Sequence, residues 1–368
     1  MELQVVVKML VIVLVIMGLF LPLITWVERK QSAVMQDRIG ANRAHVLGIT
    51  ALGLLHPAAD VVKLATKEDV VPAGANRWIH QLAPIIELVP AIVTLAVIPY
   101  GGKYQMDGWV LSLVVADIDW GMLYVFAVGS IATYGAVMAG WASNSNWGLL
   151  GSMRASAQMI SYEVTMRLSL VGIFMVFNSL NLVEIAQAQD RVLWLFGAIP
   201  LPSWGIVLQP LGFILFLTCI MAENKRPPFD APEGESELVA GYHMEYSGMR
   251  FGLFYTAEFL EVPVIGMIVT TLFLGGWAIP YLSQDAIIGG LTPALGASFA
   301  TIVCIALHFV TFLIKVIAMI WLQMAIRWTL PRFRYDQVMD LCWKMILPIS
   351  IANAFVTAGV ILLLERAA

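Results

Sequence analysis

The chain has 368 residues, 60% of them hydrophobic and only 12% charged, against about 25% charged in an average soluble domain. A chain this long and this apolar needs the bilayer as its solvent. The net charge of −4 comes without any basic tract, which argues against nucleic acid, and Cys219, Cys304 and Cys342 stand singly. The missing CxxC and HxxxH spacings argue against a metal site, an iron–sulfur cluster or a disulfide framework in this chain.

Taken in order, eight spans are expected, at roughly 3–26, 82–99, 120–139, 159–179, 205–223, 251–276, 298–325 and 343–364. Several exceed the ~18 residues that mark a spanning helix. Backbone groups in lipid must bond within their own segment, so the spans are helices. The expected class is all-α: a polytopic membrane protein forming a single integral domain over residues 1–368. The first run is too long for a signal h-region and lacks a small-residue cleavage site, so it reads as a retained span.

Cation bias sets the expected orientation. Fifteen cations fall in the loops after spans one, three, five and seven; only Lys8, Lys103, Arg191 and Arg366 lie opposite. This places the loops of the first group inside and both termini outside. In the long first inner loop, "HVLGITALGLLHPAADVVKLATKED" (45–69) mixes Leu52, Leu54, Leu55, Val61, Val62 and Leu64 with Asp60, Lys63 and Lys67. An amphipathic interfacial helix on the cytoplasmic side fits, with Pro57 bending or breaking it.

Ionisable groups inside a membrane cost at least ~2.5–3.5 kcal/mol each on insertion scales. Glu87, Glu163, Arg167, Glu223, Glu258, Glu261 and Lys315 fall within or at the ends of the spans. Any one of them reads as a paired or neutralised packing residue; the group reads better as a polar pathway through the helices. Glu258 and Glu261 are three apart and share a helix face, and Glu163 and Arg167 are four apart and able to pair. Carboxylates in a partly dry setting have raised pKa values, the chemistry of a proton relay.

Between spans five and six lies an acidic cytoplasmic loop, 222–250. Its first part, "AENKRPPFDAPEGESELVAGYHMEY" (222–246), gathers Glu223, Asp230, Glu233, Glu235, Glu237 and Glu245. Pro227 and Pro228 are expected to end the fifth helix. Repulsion among the acids couples their protonation. A solvated loop accounts for acids but not for Phe229, Leu238, Val239 and the aromatic-rich "GYHMEY". His243 reads as a proton donor or as a hydrogen-bonded neighbour of Tyr242. After span one, "ERKQSAVMQDRIGANR" (28–43) places Glu28 beside Arg29 at the membrane rim, with Arg29, Arg38 and Arg43 as headgroup anchors and Gly40 and Asn42 marking a turn.

These two stretches, with "LATKED" (64–69), "GWASNSNWGLLGSMRASAQMISYE" (140–163), the extension of the acidic stretch to "SGMRFGLFYTAEF" (247–259) and "RWTLPRFRYDQ" (327–337), resemble the H-subunit family of bacterial NADH:quinone oxidoreductase, respiratory complex I. Its mitochondrial counterpart is NADH dehydrogenase subunit 1. The resemblance runs in order from about residue 20 to the end and implies a role. Such a protein docks the membrane arm of a bacterial inner-membrane complex onto the peripheral-arm subunits that carry the terminal iron–sulfur cluster. It shares with them a chamber for quinone, ubiquinone or menaquinone. It holds no redox cofactor itself, and it adjoins small membrane subunits leading to the antiporter-like subunits. Carried over by motif, Glu28, Arg29, Arg38, Lys67, Phe229, Asp230, Glu233, Glu235 and Glu237 match the quinone tunnel and chamber. Glu163, Glu223, Glu245 and Glu258 match the start of the proton pathway, and Arg154, Arg327, Arg332, Arg334 and Asp336 lie in further matching stretches.

The chain also departs from the family. Some members carry a glutamate in the third span, where "AVGSIATYG" (127–135) has Ser130. Glu87 and Glu261 look additional, and either is a candidate to replace it. The nearest rival is the equivalent subunit of a membrane-bound hydrogenase or related energy-converting complex; "EGESELVAGYHMEYSGM" favours the quinone enzyme. A stand-alone ion transporter would predict inverted repeats, and the sequence has no internal symmetry.

Overall fold

The apolar runs fold as helices in the computed structural model, which describes residues 2–106, 109–195 and 199–367. α1 (Glu2–Val15) passes through a π turn (Ile16–Phe20) into α2 (Leu21–Met35). There follow α3 (His56–Thr66), α4 (Arg77–Thr94), the hairpin β1 (Lys103–Met106) and β2 (Trp109–Ser112), α5 (Gly121–Ala142), α6 (Asn146–Phe177) and α7 (Leu182–Ala188). A second hairpin, β3 (Val192–Leu195) and β4 (Ile199–Pro202), leads to α8 (Gly205–Leu208) and α9 (Pro210–Glu223). The remainder comprises α10 (Glu235–Leu238), α11 (Gly248–Phe273), α12 (Gln284–Leu295), α13 (Ala297–Thr329), α14 (Tyr335–Asp340), a π turn (Leu341–Ile346) and α15 (Leu347–Ala367). Both hairpins are antiparallel, with Lys103 opposite Ser112 and Val192 opposite Pro202.

Among the described residues, six helices are long and apolar enough to cross a membrane: Val5–Met35, Gly121–Ala142, Asn146–Phe177, Gly248–Phe273, Ala297–Thr329 and Tyr335–Arg366. The other two expected spans are also helical, but shorter or more polar. Span 82–99 falls on α4, which ends at Thr94 and carries Glu87 within it. Span 205–223 is split at Gln209, whose non-helical backbone (φ −136°, ψ 61°) separates α8 from the apolar α9. Several helices also run past the expected limits. α2 carries Glu28 and Arg29 on helix rather than loop, and α6 begins at Asn146 and takes Arg154 with it. Within 45–69 the regular helix occupies only His56–Thr66. Pro57 starts it rather than breaks it, because a proline in the first turn forfeits no intrahelical bond.

α11 is the central element, buried on nearly every side from Ala257 to Phe273. Small side chains let the other helices close in. At Gly135 of α5 an added Cβ would stand 2.8 Å from the Glu87 Cβ of α4. The two ends of the bundle differ in character. One end holds both hairpins and α7; there Lys8 donates to the carbonyls of Ser112 (2.8 Å) and Val114 (3.2 Å), and Lys315 donates to Leu274, Gly276 and Ala278 just beyond α11. The other end carries α3, the 224–247 segment and the start of α14, and it holds most of the ion pairs.

Candidate functional site

At the charged end, α9 stops at Glu223, four residues before the prolines. Lys225 then takes a left-handed backbone (φ 54°), which turns the chain and sends two successive cations inward. Both become buried. Arg226 lies 5% exposed: its Nε donates to Glu258 of α11 at 2.7 Å and its Nη1 to Glu28 of α2 at 3.2 Å, with the guanidinium 4.2 Å above the Phe259 ring. Arg327 of α13 completes the cluster on the other oxygen of Glu28. Four segments therefore meet on one fork of charge, the geometry to which a guanidinium is suited.

Lys225, 3% exposed, pairs with Glu87 of α4. It also donates to the Tyr242 hydroxyl at 3.0 Å, and that hydroxyl donates to Glu87 at 3.1 Å with Glu233 3.4 Å away. Burial works against the ammonium, but Glu87, then Glu261 and Glu233, hold its pKa above the ordinary lysine range. Burial also sets the loop acids. It holds Asp230 up at about 6, with Arg332 at 2.5 Å pulling only partly back. Burial first, then the charges of Glu258 and Asp230, hold Glu233 well above the usual carboxylate range. His243, partly buried, is pushed by desolvation down to about 4 and is neutral near pH 7. Gly241 (φ 58°) lets this loop fold on itself, since a Cβ there would collide with the Pro232 carbonyl oxygen.

Below the loop lies a cavity of about 90 Å³ between α4, α5, α6, α9 and α11. Its lining is apolar except for Thr94, Asn224 and three glutamates, Glu163, Glu223 and Glu261. Glu163 is held by Ser130 of α5 and by Arg167 one turn along α6, which also reaches the Ser130 hydroxyl at 2.8 Å. Glu223 reaches toward α5 beside Gly129, its Oε1 4.0 Å from where a Cβ on that glycine would stand.

Other expected residues surround this core. Arg29 pairs with Asp60 of α3, and Arg154 with Glu237 at 2.8 Å. Phe229 is buried between the rings of Tyr162 and Phe333, with centroids at 5.7 and 5.6 Å. Glu245 lies within electrostatic reach of His80, whose ring stacks on Tyr246 at 3.9 Å. Two expected residues lie apart: Arg38 is exposed and donates to Gln36, and Lys67 is exposed at the end of α3. The Glu235 side chain lies outside the described residues. Glu258 and Glu261 share a face, yet they part company, one toward Arg226 and the other toward the cavity. The sequence did not mark Lys225, Arg226, Tyr242 and Ser130 as the partners of these acids; the available signal was a pair of cations wedged between a span and two prolines.

Among the described residues, no group of three or more His, Cys, Asp or Glu is arranged to hold a metal ion. A family model for NADH dehydrogenase matches residues 7–358. The chain is similar to the NADH-quinone oxidoreductase H subunit 1 of Geobacter metallireducens, 44% identical over 340 residues covering 92% of this chain and 91% of that protein. It is similar to the H subunit of Thermomicrobium roseum, 44% identical over 343 residues covering 93% and 92%. The H subunit of Salinibacter ruber is 41% identical over 341 residues, covering 92% and 91%. On a match that spans nearly the whole chain, this protein belongs to the H-subunit family of NADH-quinone oxidoreductases.

Proposed function

We propose that the chain is the membrane subunit in which quinone reduction by a bacterial complex I is converted into proton movement. Its eight helical segments lie in the inner membrane with both termini outside, and α3 lies in the cytoplasmic interface. The 222–250 segment and the Arg29–Asp60 pair face the quinone chamber, which partner subunits of the peripheral arm complete and supply with electrons. Reduction of a quinone to a quinol takes up two electrons and two protons, and charge arrives with the electrons. Asp230, held up at about 6 by burial, and Glu233, held well above the usual carboxylate range by burial and by the charges of Glu258 and Asp230, respond to that charge by changing protonation. Glu245 lies at the far end of the same loop. Glu258, through Arg226, and the cavity glutamates Glu163 and Glu223 carry the change toward the neighbouring membrane subunits.

One observation carries this reading. Buried, hydrogen-bonded charge runs from Glu233 through Tyr242, Glu87 and Lys225 to the turn that begins at Glu223 on the cavity. A relay needs groups that titrate within turnover. Glu163→Gln or Glu223→Gln keeps shape and hydrogen-bonding capacity but cannot titrate. Each variant complex is expected to assemble, with quinone-linked turnover and vesicle acidification both well below wild type per assembled complex. Full pumping by both variants would remove these residues from the pathway.

A further inference from the structure

Three carboxylates reach the cavity, and the pathway above uses two of them. The third, Glu261, enters from α11 one turn beyond Glu258. Glu163 is anchored by Ser130 and Arg167. Among the described residues, no hydrogen bond or ion pair anchors Glu261. The charge that acts on it most strongly is Lys225, which is already bound to Glu87 and responds electrostatically to Glu261 as well. The apolar walls, among them Phe216, Ile265 and Ile268, offer little to solvate an anion.

We propose that Glu261 is a proton-carrying group of this chain, standing between the Glu233–Tyr242–Glu87–Lys225 connection and Glu223 in the cavity. The proposal rests on the proton-pathway reading above. Two unpaired anions in one apolar cavity repel, so Glu223 and Glu261 titrate as a pair. Lys225 supports an anionic Glu261 when it shares its charge, and withdraws that support when Glu87 holds it alone. Transfer is a proton exchange between carboxyl groups: the O–H bond of one acid breaks as an O–H bond forms on the other, and no electron moves. Glu87, by contrast, is a positioning residue: Lys225 and Tyr242 fix its Oε1, and it is not among the residues that line the cavity.

The test uses the assembled complex in inverted membrane vesicles, with NADH as donor and a short-chain quinone as acceptor. Glu261→Gln is expected to cut quinone-linked proton translocation by about 10²-fold per assembled complex, the lower end of what a placed proton-transfer group contributes. It should also delete a protonated-carboxyl stretching band from the infrared difference spectrum between resting and reduced enzyme. Glu261→Asp should keep the band and recover part of the rate. Wild-type pumping and an unchanged spectrum in Glu261→Gln, beside an impaired Glu223→Gln, would overturn the inference and leave the broader pathway standing. Loss of assembly in Glu261→Gln would mark the residue as a structural anchor and overturn it too. Full pumping by both Glu163→Gln and Glu223→Gln would sink the pathway and this inference together.

Discussion

In the Arg226 cluster, Glu28 takes Arg226 and Arg327, Glu258 takes Arg226, and nearby Asp230 takes Arg332; in the cavity, only Glu163 of three glutamates holds a cation among the described residues. Both regions bury carboxylates, and they lie on either side of the turn at the end of α9. Paired charge fixes geometry, because removing either partner strands the other in a dry setting. Unpaired charge leaves protonation free to change, since nothing but the proton neutralises it. One region is built as a joint; the other leaves two of its carboxylates without a cation among the described residues.

The sharpest way to break this contrast is Arg226→Ala. It leaves Glu258 without a cation and Glu28 with Arg327 alone, and the expected cost is about 3–5 kcal/mol. The complex should lose abundance in the membrane and melt at a lower temperature. Arg226→Lys keeps the charge but not the fork, so it should recover only part. Glu223→Gln should show no such drop. Wild-type abundance and melting in Arg226→Ala would dissolve the distinction between the two regions.

Half of this arrangement is readable from the residues alone. The helices announce themselves through apolar runs, and the Glu163–Arg167 pair follows from a four-residue spacing on α6. The acidic loop stands out because carboxylates gather there. Which cation each acid takes is not readable in that way. Glu28 meets Arg226 across 198 residues and Arg327 across 299, and such partners are set by tertiary packing, which no local period encodes. Glu87 and Glu261 look alike as extra acids in spans; only the position of Lys225 separates them. The helical extensions of α2 and α6 escape notice because charged residues at a membrane rim read as loop, although they sit on a continuing helix.

A smaller effect sharpens the loop side. Asp230 has its folded pKa raised to about 6, so between its ordinary value and about 6 the folded loop binds more protons than the unfolded chain. Its contribution to loop stability therefore falls as pH rises through that window and is constant above it. Asparagine does not titrate. The stability of wild type relative to Asp230→Asn is expected to drop by about 2 kcal/mol from pH 4 to pH 6. Hydrogen exchange of the N–H-bearing residues of 229–245 in the purified complex measures it, and a flat difference would mean that the Asp230 charge is not buried. The smallest effect belongs to the surface pair Lys344–Asp340, both side chains well exposed. Lys344→Ala should change thermal stability by about 0.3 kcal/mol, close to the limit of detection. A drop as large as that of Arg226→Ala would erase the difference between a solvated pair and a buried one.

Gln158 of α6 donates from one amide nitrogen to two carbonyls, Ala222 at 2.8 Å and Phe229 at 2.7 Å. That one side chain clasps both ends of the turn that carries Lys225 and Arg226. The segment between them is thereby a closed link of fixed span, and it tilts rather than stretches. Were the acidic loop to swing, these two bonds would place the pivot beyond Phe229, with both cations on the short arm. A loop movement of several ångströms would reach Glu87 and Glu258 as a much smaller displacement, geared down in distance and correspondingly stiff in force.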